Sequence, residues 1–580
     1  MSNSNNTAEK KLIGSPSIDK PWLKYYSEEA INAPLPKCTI YGYLWENNKD
    51  NLDNVALLYF GKKITFRKLF ENINQVAGAF LTIGVQPDDI VTICAVSIPE
   101  TIYSFYGLNK IGAISNMVDP RTSVEGIKHY IEEVNSKVVM CIDAVFTKIM
   151  EAIKGTSVER VIVLDPADSL PHPKKLIYKI FKSPKLTASG LRQDWKNFIH
   201  NENKVAVDSV DYKRNQCCII VHTGGTTGVT KGVMLTNDNF NCSAFQMSHY
   251  NLGLKRGRSW LNIMPPFIAY GLGNSVHNPL SCGMKVILIP QFDPQKFDEL
   301  LLKYKPNHMV GVPSHYNNII NSKRLKNRDL SFIIAPIVGG DNLDTDYENT
   351  INDFFRKHNA GCSVIKGYGM TETSAGVCIC STDCNKIGSV GIPCSHITIS
   401  SFDLNSGEEL GFNQDGEICS TGPHTMLAYY NAPNETKGII KIHDDGLAWV
   451  HSGDIGHIDE DGFVFIKGRI KRMIIRHDGF KVFPPLIESV VKKHSKIKLC
   501  CVVGVADQTY AQGQLPVVFF ETSDINTKNL KQELADLCKK ELPEYAQPVD
   551  YICVDKLPLT LIGKIDFVAL EKMAESQNKG

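Results

Sequence analysis

Short runs of β-branched and other apolar residues alternate with longer amphipathic stretches along most of the chain. Four of these runs predict buried strands, at residues 138–142, 160–164, 217–222 and 285–290. Apolar residues at helical spacing predict helices between them, for example over residues 292–304 and 316–325. Because strands that alternate with helices build βαβ units, the pattern predicts an α/β protein with largely parallel sheets.

The residue composition and the pattern of predicted elements change after about residue 470. Basic residues cluster over 467–481, and a compact pattern with a helix over 527–542 and a strand over 550–554 follows. A chain of 580 residues exceeds what one hydrophobic core usually organises. We therefore expect a disordered tail at 1–20, a large N-terminal domain of several subdomains at 21–470, and a small mobile α+β domain at 471–580, joined by a hinge.

Composition and charge narrow the class of protein. Hydrophobic residues make up 43% and charged residues 22%, values typical of a globular chain and not of a disordered or fibrous one. Lys and Arg number 63 against 62 for Asp and Glu, so the net charge of +1 gives no bulk electrostatic case for nucleic-acid binding. The sequence contains no apolar run near the ~20 residues that span a bilayer. Its polar start lacks the apolar segment of a signal peptide.

The 17 cysteines are spread through the chain, several of them in apolar strand-like runs. In a chain of this length, that distribution favours buried reduced thiols, and so a cytoplasmic location. Cys378, Cys380 and Cys384 lie close together in the sequence. They lack a second ligand pair at zinc-like spacing and therefore do not predict a metal site.

A segment rich in glycine and threonine follows the predicted strand at 217–222. It reads His222-Thr-Gly-Gly-Thr-Thr-Gly-Val-Thr-Lys-Gly-Val233. Free backbone N–H groups, threonine hydroxyls and the Lys231 ammonium are the donors that a polyphosphate needs. The segment is not a Walker A loop, because Lys231 is followed by Gly232. It predicts a phosphate-binding loop, although a glycine-rich turn by itself is often only a turn.

Further segments carry candidate chemistry. In Gly367-Tyr-Gly-Met-Thr-Glu-Thr373, Tyr368 can stack on a flat ring and Glu372 offers a carboxylate to Mg²⁺. In His451-Ser-Gly-Asp454, the carboxylate can accept from two ribose hydroxyls. Basic turns follow at 468–471 and 479–482, and the loop at 558–566 presents Lys564. Each segment alone has a plainer interpretation as a helix cap or a surface turn.

In this order, the segments resemble the AMP-forming adenylating family of acyl-CoA synthetases, firefly luciferases and peptide-synthetase adenylation domains. The resemblance runs from about Ile40 to Leu570, with weaker matches at 65–84, 416–431 and 484–488. In such enzymes a carboxylate attacks the α-phosphorus of MgATP to give an acyl-adenylate and pyrophosphate, and a thiol then displaces AMP. The resemblance implies a carboxylate–CoA ligase that uses ATP, Mg²⁺ and coenzyme A.

The resemblance also implies roles for individual residues. The β- and γ-phosphates would be held by Lys231 and the loop residues Thr223, Gly224, Gly225, Thr226, Thr227 and Gly228. Glu372 would coordinate Mg²⁺, and Thr371 would contact the α-phosphate. Asp454 would bind the ribose hydroxyls, with Arg469 nearby. The adenine site would be lined by Gly339, Gly340, Asp341, Gly367 and Tyr368.

The small domain would take part in both half-reactions. By resemblance, Lys564 bridges the substrate carboxylate and the α-phosphate, and its cationic charge makes it an electrostatic clamp. The small domain then rotates about a hinge, here Lys471, and brings Gly479 and Phe480 against the CoA channel.

Three positions depart from the family pattern. Gly224 stands where many members have Ser, Thr230 where Pro is common, and Ile268 where acyl and aryl synthetases often have His. The glycine removes one hydroxyl donor to the phosphates, and the threonine leaves the loop less rigid than a proline would. The isoleucine cannot take the gating role of the His. The metal ligand, the ribose-binding residue and the bridging lysine are all present.

The acyl pocket is expected to be lined by Phe267, Ile268, Tyr270 and Gly369. Peptide-synthetase domains usually carry Asp where this chain has Ile268, so a substrate amine would here be buried unpaired, which disfavours amino acids. In acetyl-CoA synthetases an aromatic residue replaces Gly369 and closes the pocket after two carbons. The glycine therefore favours a medium- or long-chain fatty acid, with an aryl or cinnamate-type acid as the alternative.

Some alternatives stay open. The segment from Lys174 to Lys185 contains five Lys and no acid, which suits an amphipathic helix on an anionic membrane, although a solvated surface insertion is the plainer interpretation. The acyl group could also be delivered to the phosphopantetheine of a carrier protein. An inactive nucleotide- or acyl-binding relative is disfavoured because Lys231, Glu372, Asp454 and Lys564 are all present.

Overall fold

A computed structural model describes residues 12–172, 174–181, 184, 186, 189–200, 207–223, 230–510, 512–523, 527–560 and 565–577. The α-helices in these residues are α1 Pro16–Asp19, α2 Glu28–Asn32, α3 Ile40–Asn48, α4 Phe66–Thr82, α5 Pro99–Lys110, α6 Val124–Glu133, α7 Phe146–Ala152, α8 Lys174–Phe181, α9 Trp195–Ile199, α10 Asn237–Ser248, α11 Asn278–Ser281, α12 Phe297–Tyr304, α13 Pro313–Ile320, α14 Thr345–Lys357, α15 Pro433–Ile439, α16 Pro484–Lys492, α17 Thr527–Glu541 and α18 Phe567–Gln577.

The strands are β1 Val55–Tyr59, β2 Lys62–Thr65, β3 Ile90–Cys94, β4 Ile114–Val118, β5 Val138–Ile142, β6 Arg160–Leu164, β7 Arg192–Asp194, β8 Cys217–Thr223, β9 Lys231–Thr236, β10 Ser259–Asn262, β11 Lys285–Leu288, β12 His308–Gly311, β13 Ala335–Gly339, β14 Ile365–Tyr368, β15 Cys378–Ile379, β16 Ile392–Pro393, β17 Thr398–Phe402, β18 Gly416–Thr421, β19 Ala428–Tyr429, β20 Ile440–Ile442, β21 Ala448–Ile458, β22 Val464–Arg469, β23 Ile474–Ile475, β24 Lys481–Val482, β25 Ile497–Ala506, β26 Gln514–Thr522 and β27 Asp550–Cys553.

Two large sheets organise the N-terminal part. One has the strand order β19-β9-β8-β4-β3-β5-β6-β7 and the other β16-β15-β14-β13-β12-β10-β11-β1-β2. The central pairs of both are parallel, and antiparallel pairs occur only toward their edges among the described residues. Strands such as β5, buried at every residue after its first, explain the continuous apolar runs, because helices cover both faces of a parallel sheet. The predicted α/β class with parallel sheets is confirmed.

Smaller sheets complete the chain. β17, β18, β21 and β20 form an antiparallel sheet in that order, and β22 pairs with β21. Beyond a 3₁₀ turn at Ile470–Arg472, β25, β26 and β27 make a separate three-stranded sheet that packs with α16, α17 and α18. This mixed αβ unit is the expected C-terminal domain. None of the helices in the described ranges combines the length and the apolar character needed to cross a membrane.

Part of the segment 1–20, where a disordered tail was expected, is helical. Residues 1–11 lie outside the described residues, but α1 forms because Pro16 fits the first helical turn and Asp19 accepts from the N–H groups of Ile13 and Gly14. Glu409 anchors this helix by accepting hydrogen bonds from Ser15 Oγ at 2.6 Å and from Ser17. Residues 12–20 are therefore ordered and do not belong to a disordered tail.

Candidate active site

The phosphate-loop segment begins where β8 ends. Thr223 is the last residue of β8, and its register partner Lys231 is the first residue of the antiparallel strand β9. The expected phosphate ligands Gly224, Gly225, Thr226, Thr227 and Gly228 lie outside the described residues. The ladder nevertheless fixes both ends of the loop, so its length is set by the hairpin.

Lys231 and Glu372 lie on either side of one tyrosine. The Tyr429 hydroxyl donates to Glu372 Oε1 at 2.6 Å, and Lys231 Nζ lies 4.9 Å from the centroid of the Tyr429 ring. Tyr429 reaches this position because β19 pairs with β9, with Tyr429 opposite Val233. Glu372 is 7% exposed. The predicted metal ligand and the predicted phosphate-binding lysine are thus brought together by a residue that the sequence reasoning did not single out.

The predicted adenine-site glycines meet at one sheet edge. β13 and β14 are parallel, and Gly339 is the register partner of Gly367. Because parallel strands end at the same edge, Gly340 and Tyr368 follow side by side. Gly340 has a φ of +81°, which favours glycine, and a Cβ on Gly339 would lie 3.0 Å from the carbonyl oxygen of Gly367. The next residue, Asp341, is exposed at the surface.

Tyr368 is linked to the predicted ribose-binding residue. Its hydroxyl donates to Asp454 Oδ2 at 2.6 Å, and Arg469 Nε lies 2.8 Å from Asp454 Oδ1. Asp454 and Arg469 face each other in the β21–β22 ladder, so the pairing follows from the hairpin. The Asp454 side chain is 5% exposed while that of Arg469 is 49% exposed. The two partners hold the carboxylate in one orientation at the edge of the site.

The backbone around Gly369 leaves no room for a side chain at this position. It lines the cavity, but a Cβ built on it would lie 1.9 Å from the carbonyl oxygen of Ala375. The turn that carries Thr371 and Glu372 therefore closes tightly against residue 369. An aromatic residue could not be added here without moving that turn, so the glycine is not simply the absence of a pocket floor.

A single cavity of about 1080 Å³ runs beside these residues. One side of it, which contains the predicted adenine-site residues, is lined by Gly339, Gly340, Gly367, Tyr368 and Thr371. Its other side is lined by Phe267, Ile268, Tyr270, Leu170 and Ile142, and it extends to Ile177 and Tyr178 of α8. The cavity thus joins the predicted adenine residues to the predicted acyl-pocket residues, and most of its lining is apolar.

Helix α8 stands at the far end of the cavity. Lys174 Nζ donates to the carbonyl oxygen of Phe60 at 3.0 Å, and Leu176 and Ile177 are 59% and 55% exposed. The helix predicted from the lysine-rich segment is therefore present over Lys174–Phe181. Lys185 and the side chain of Phe181 lie outside the described residues, so the predicted membrane contact stays a prediction.

The small domain contributes two residues to the lining of the cavity. Leu559 and Thr560 line the cavity, while Lys564 itself lies outside the described residues. Gly479, with a φ of +82°, and Phe480 form a turn that is not among the cavity-lining residues in the described part of the chain. Phe480 stacks on Tyr545 with ring centroids 4.7 Å apart. The predicted hinge residue Lys471 lies in the exposed 3₁₀ turn between the two parts.

Two ionisable groups near the site have altered pKa values. Burial lowers the pKa of His222 to about 3, so its imidazole is neutral at physiological pH. It stacks on Tyr130, and its Nε2 lies 2.7 Å from Asn116 Oδ1, which fixes the residue before the phosphate loop. Burial also raises the pKa of Asp143, at the far side of the cavity, to about 6.

Comparisons with known proteins bear on nearly the whole chain. The family model for AMP-binding enzymes matches residues 44–430, and the model for the AMP-binding enzyme C-terminal domain matches residues 486–564. A long-chain-fatty-acid–CoA ligase of Bacillus subtilis (strain 168) is 28% identical over 564 residues, which cover 94% of this chain and 96% of that protein.

Two further proteins are similar to this chain over nearly its whole length. A probable 4-coumarate–CoA ligase of Dictyostelium discoideum is 28% identical and covers 90% of this chain and 91% of its own length. The crystal structure of ATP-bound MatB from Rhodopseudomonas palustris superposes with a TM-score of 0.80 at 22% identity, covering 93% of this chain and 99% of that one. At that identity, the structural likeness establishes the fold alone.

Proposed function

Because this chain belongs to the AMP-binding enzyme family, we propose that it is an ATP-dependent ligase that joins an apolar carboxylic acid to coenzyme A through an acyl-adenylate. The observation that carries the proposal is the continuous cavity. It begins at the sheet edge formed by Gly339 and Gly367 and continues past Phe267 and Ile268 to helix α8. A nucleotide and an apolar acid can therefore lie end to end in one continuous cavity.

The first half-reaction joins two anions, so its barrier depends on charge neutralisation and in-line positioning. We assign Lys231 and the loop from Thr223 to the β- and γ-phosphates and Thr371 to the α-phosphate. Asp454, held by Tyr368 and Arg469, would accept from the ribose hydroxyls. Lys564 would supply the cation between the carboxylate and the α-phosphorus, and the cavity-lining neighbours Leu559 and Thr560 support that placement.

The residues present fit a magnesium ion at Glu372. Mg²⁺ is usually held by one or two carboxylates together with substrate phosphates. Glu372 is a buried carboxylate with one oxygen fixed by Tyr429, next to Lys231 at the predicted phosphate side. When bound, the ion would neutralise phosphate charge. Tyr429 orients the carboxylate, and Lys231 adds a second positive charge.

In the second half-reaction a thiol displaces AMP from the acyl-adenylate. We propose free coenzyme A as the acceptor, with the small domain turning about Lys471 so that Gly479 and Phe480 approach the cavity. The exposed position of Phe480, 51% exposed beside a glycine with positive φ, suits a turn that makes contacts in another orientation.

For the acid, we propose a medium- or long-chain fatty acid. No carboxylate at residue 268 is available to pair with an amine, and the apolar lining continues as far as Tyr178. A 4-coumarate-type aryl acid is the second candidate, favoured by the Dictyostelium relative and by aromatic lining residues such as Phe267 and Tyr270.

A pyrophosphate-release assay over a panel of acids tests the proposal. We expect ATP-dependent release with acids of about eight to sixteen carbons, stimulated by coenzyme A, because each buried methylene contributes about 0.8 kcal/mol. Faster release with cinnamate-type acids would instead assign the aryl substrate. Release that is independent of any acid would contradict both assignments.

A further inference from the structure

Outside the cavity, the sheet formed by β17, β18, β21 and β20 carries a compact group of side chains of the types that bind metal ions. Glu417 and Cys419 lie two residues apart on β18, and Cys419 is the register partner of His451 on β21. One ligand atom from each of these three residues lies within 4.8 Å of the others. His443, in the hairpin that joins β20 and β21, places its Nε2 at 2.9 Å from His451 Nε2.

We propose that Glu417, Cys419 and His451 form a binding site for a divalent transition-metal ion of the zinc type. A thiolate, an imidazole and a carboxylate are the donor types that Zn²⁺ selects, and three protein ligands leave a fourth position for water. In the described part of the chain, no other group of His, Cys, Asp and Glu side chains converges this closely. Among the described residues, Cys378, Cys380 and Cys384 do not form such a group.

His443 is a positioning residue for this site. When a metal occupies His451 Nδ1, the Nε2–H of His451 donates to His443 Nε2, which fixes the tautomer and the plane of the ligating ring. His443 is itself held by stacking on Trp449, with ring centroids 5.4 Å apart, and by an edge contact with Phe402. The aromatic packing therefore pre-forms the support for the ligand.

Metal binding must displace protons. Without a metal, His451 Nδ1 lies 2.8 Å from Glu417 Oε2, a distance that a shared proton explains. Binding of the ion releases the Cys419 thiol proton to solvent, and His451 takes the tautomer with its proton on Nε2 so that Nδ1 binds the ion, as three metal–ligand bonds form. The side chains of His451 and Glu417 are 12% and 16% exposed, so the site is shielded but open to entry of the ion.

The site lies beside the segment of β21 that carries Asp454, the residue that we assign to the ribose hydroxyls. Glu417 Oε1 accepts from the backbone N–H of Gly453 at 3.0 Å, one residue before Asp454. A metal ion on the Oε2 side of Glu417 would therefore hold the carboxylate that supports this part of β21. The position indicates a structural ion and not a participant in adenylation, because the cluster lies outside the cavity lining.

Cobalt substitution of the full chain tests the site. After chelator treatment, we expect Co²⁺ to bind with one equivalent and to produce a thiolate-to-cobalt charge-transfer band, and Zn²⁺ to bleach that band and raise the thermal midpoint. Cys419→Ala should abolish the band, whereas Cys141→Ala, which removes another fully buried strand cysteine, should retain it.

His443→Phe keeps all three ligands and should weaken Zn²⁺ affinity about 10- to 100-fold, as losses of such supporting partners do. The thermal midpoints of the variants, compared in excess chelator, separate misfolding from loss of the ligand. Absence of a one-equivalent Co²⁺ complex in the wild-type chain would overturn the proposal. A charge-transfer band of unchanged intensity in Cys419→Ala would overturn it equally.

Discussion

Replacing Gly369 by Ala separates the two reasons for glycine at this position. The added methyl group would lie 1.9 Å from the carbonyl oxygen of Ala375. Since an ordinary non-bonded contact is about 3.5 Å, the turn after residue 369 must retreat by about 1.5 Å. This turn carries Thr371 and Glu372, the predicted contacts of the α-phosphate and the metal.

The size of the effect follows from that displacement. Misplacing catalytic groups by about 1 Å costs on the order of 100-fold in rate, so kcat/KM should fall by about that factor for every acid. The strain should also lower the free energy of unfolding by about 1–3 kcal/mol, as overpacking does. A methyl group that only shortened the acyl pocket would act differently, by lowering activity on long acids and sparing short ones.

Steady-state pyrophosphate release with acids of two to sixteen carbons measures this effect. Gly376→Ala, in the same turn, is the matched control, because a Cβ there has only Asn274 Nδ2 nearby, at 3.7 Å, and should leave kcat/KM within a few-fold of wild type. Wild-type kinetics for Gly369→Ala would refute the steric argument. A selective loss on long acids would return residue 369 to the role of a pocket floor.

Three further predictions concern the nucleotide, the bridging lysine and a buried acid. Asp454→Asn should raise KM for ATP roughly 10- to 100-fold, because charge-assisted hydrogen bonds contribute about 1.5–3 kcal/mol, and an unchanged KM would show that Asp454 does not bind ribose. Lys564→Ala should abolish adenylate formation but spare thioester formation from supplied acyl-AMP; equal loss of both steps in a folded variant would contradict its assignment. Burial raises the pKa of Glu100 from its ordinary 4.5 to about 7, so the native state retains a proton that the unfolded chain loses between those values. Stability should therefore fall as the pH rises from 4.5 through 7 and be less pH-dependent in Glu100→Gln, as thermal midpoints across pH will show.

The positions of buried strands could be predicted from the local sequence. The apolar runs at 138–142 and 160–164 coincide with β5 and β6, because a strand buried on both faces leaves an unbroken apolar signal. Helix ends were less accurate. The helix predicted at 316–325 spans Pro313–Ile320, since Pro313 fits the first turn and Ser322 leaves the helical pattern to donate to Asp298.

Parts of the site set by long-range pairing were not predictable. The glycines at 339 and 367 and the Asp454 motif could be assigned from the sequence because each lies in a short segment that resembles a family motif. The contact between Tyr429 and Glu372 joins residues 57 positions apart and exists only because β19 pairs with β9. The aromatic residues inside the weak family match at 416–431 were the one signal that could have identified Tyr429. The collision that a side chain at Gly369 would have with Ala375 depends on the shape of the turn, which composition does not specify.

Isotope transfer tests the central claim most directly. The chain is incubated with ATP, Mg²⁺, coenzyme A and a long-chain fatty acid labelled with ¹⁸O in its carboxylate. The mass of the nucleotide product is then measured by mass spectrometry. If the carboxylate attacks the α-phosphorus and the thiol then displaces AMP, one labelled oxygen stays on the phosphate of AMP and acyl-CoA forms in equal amount. Unlabelled AMP, or ADP in place of AMP, would show that an acyl-adenylate is not the intermediate.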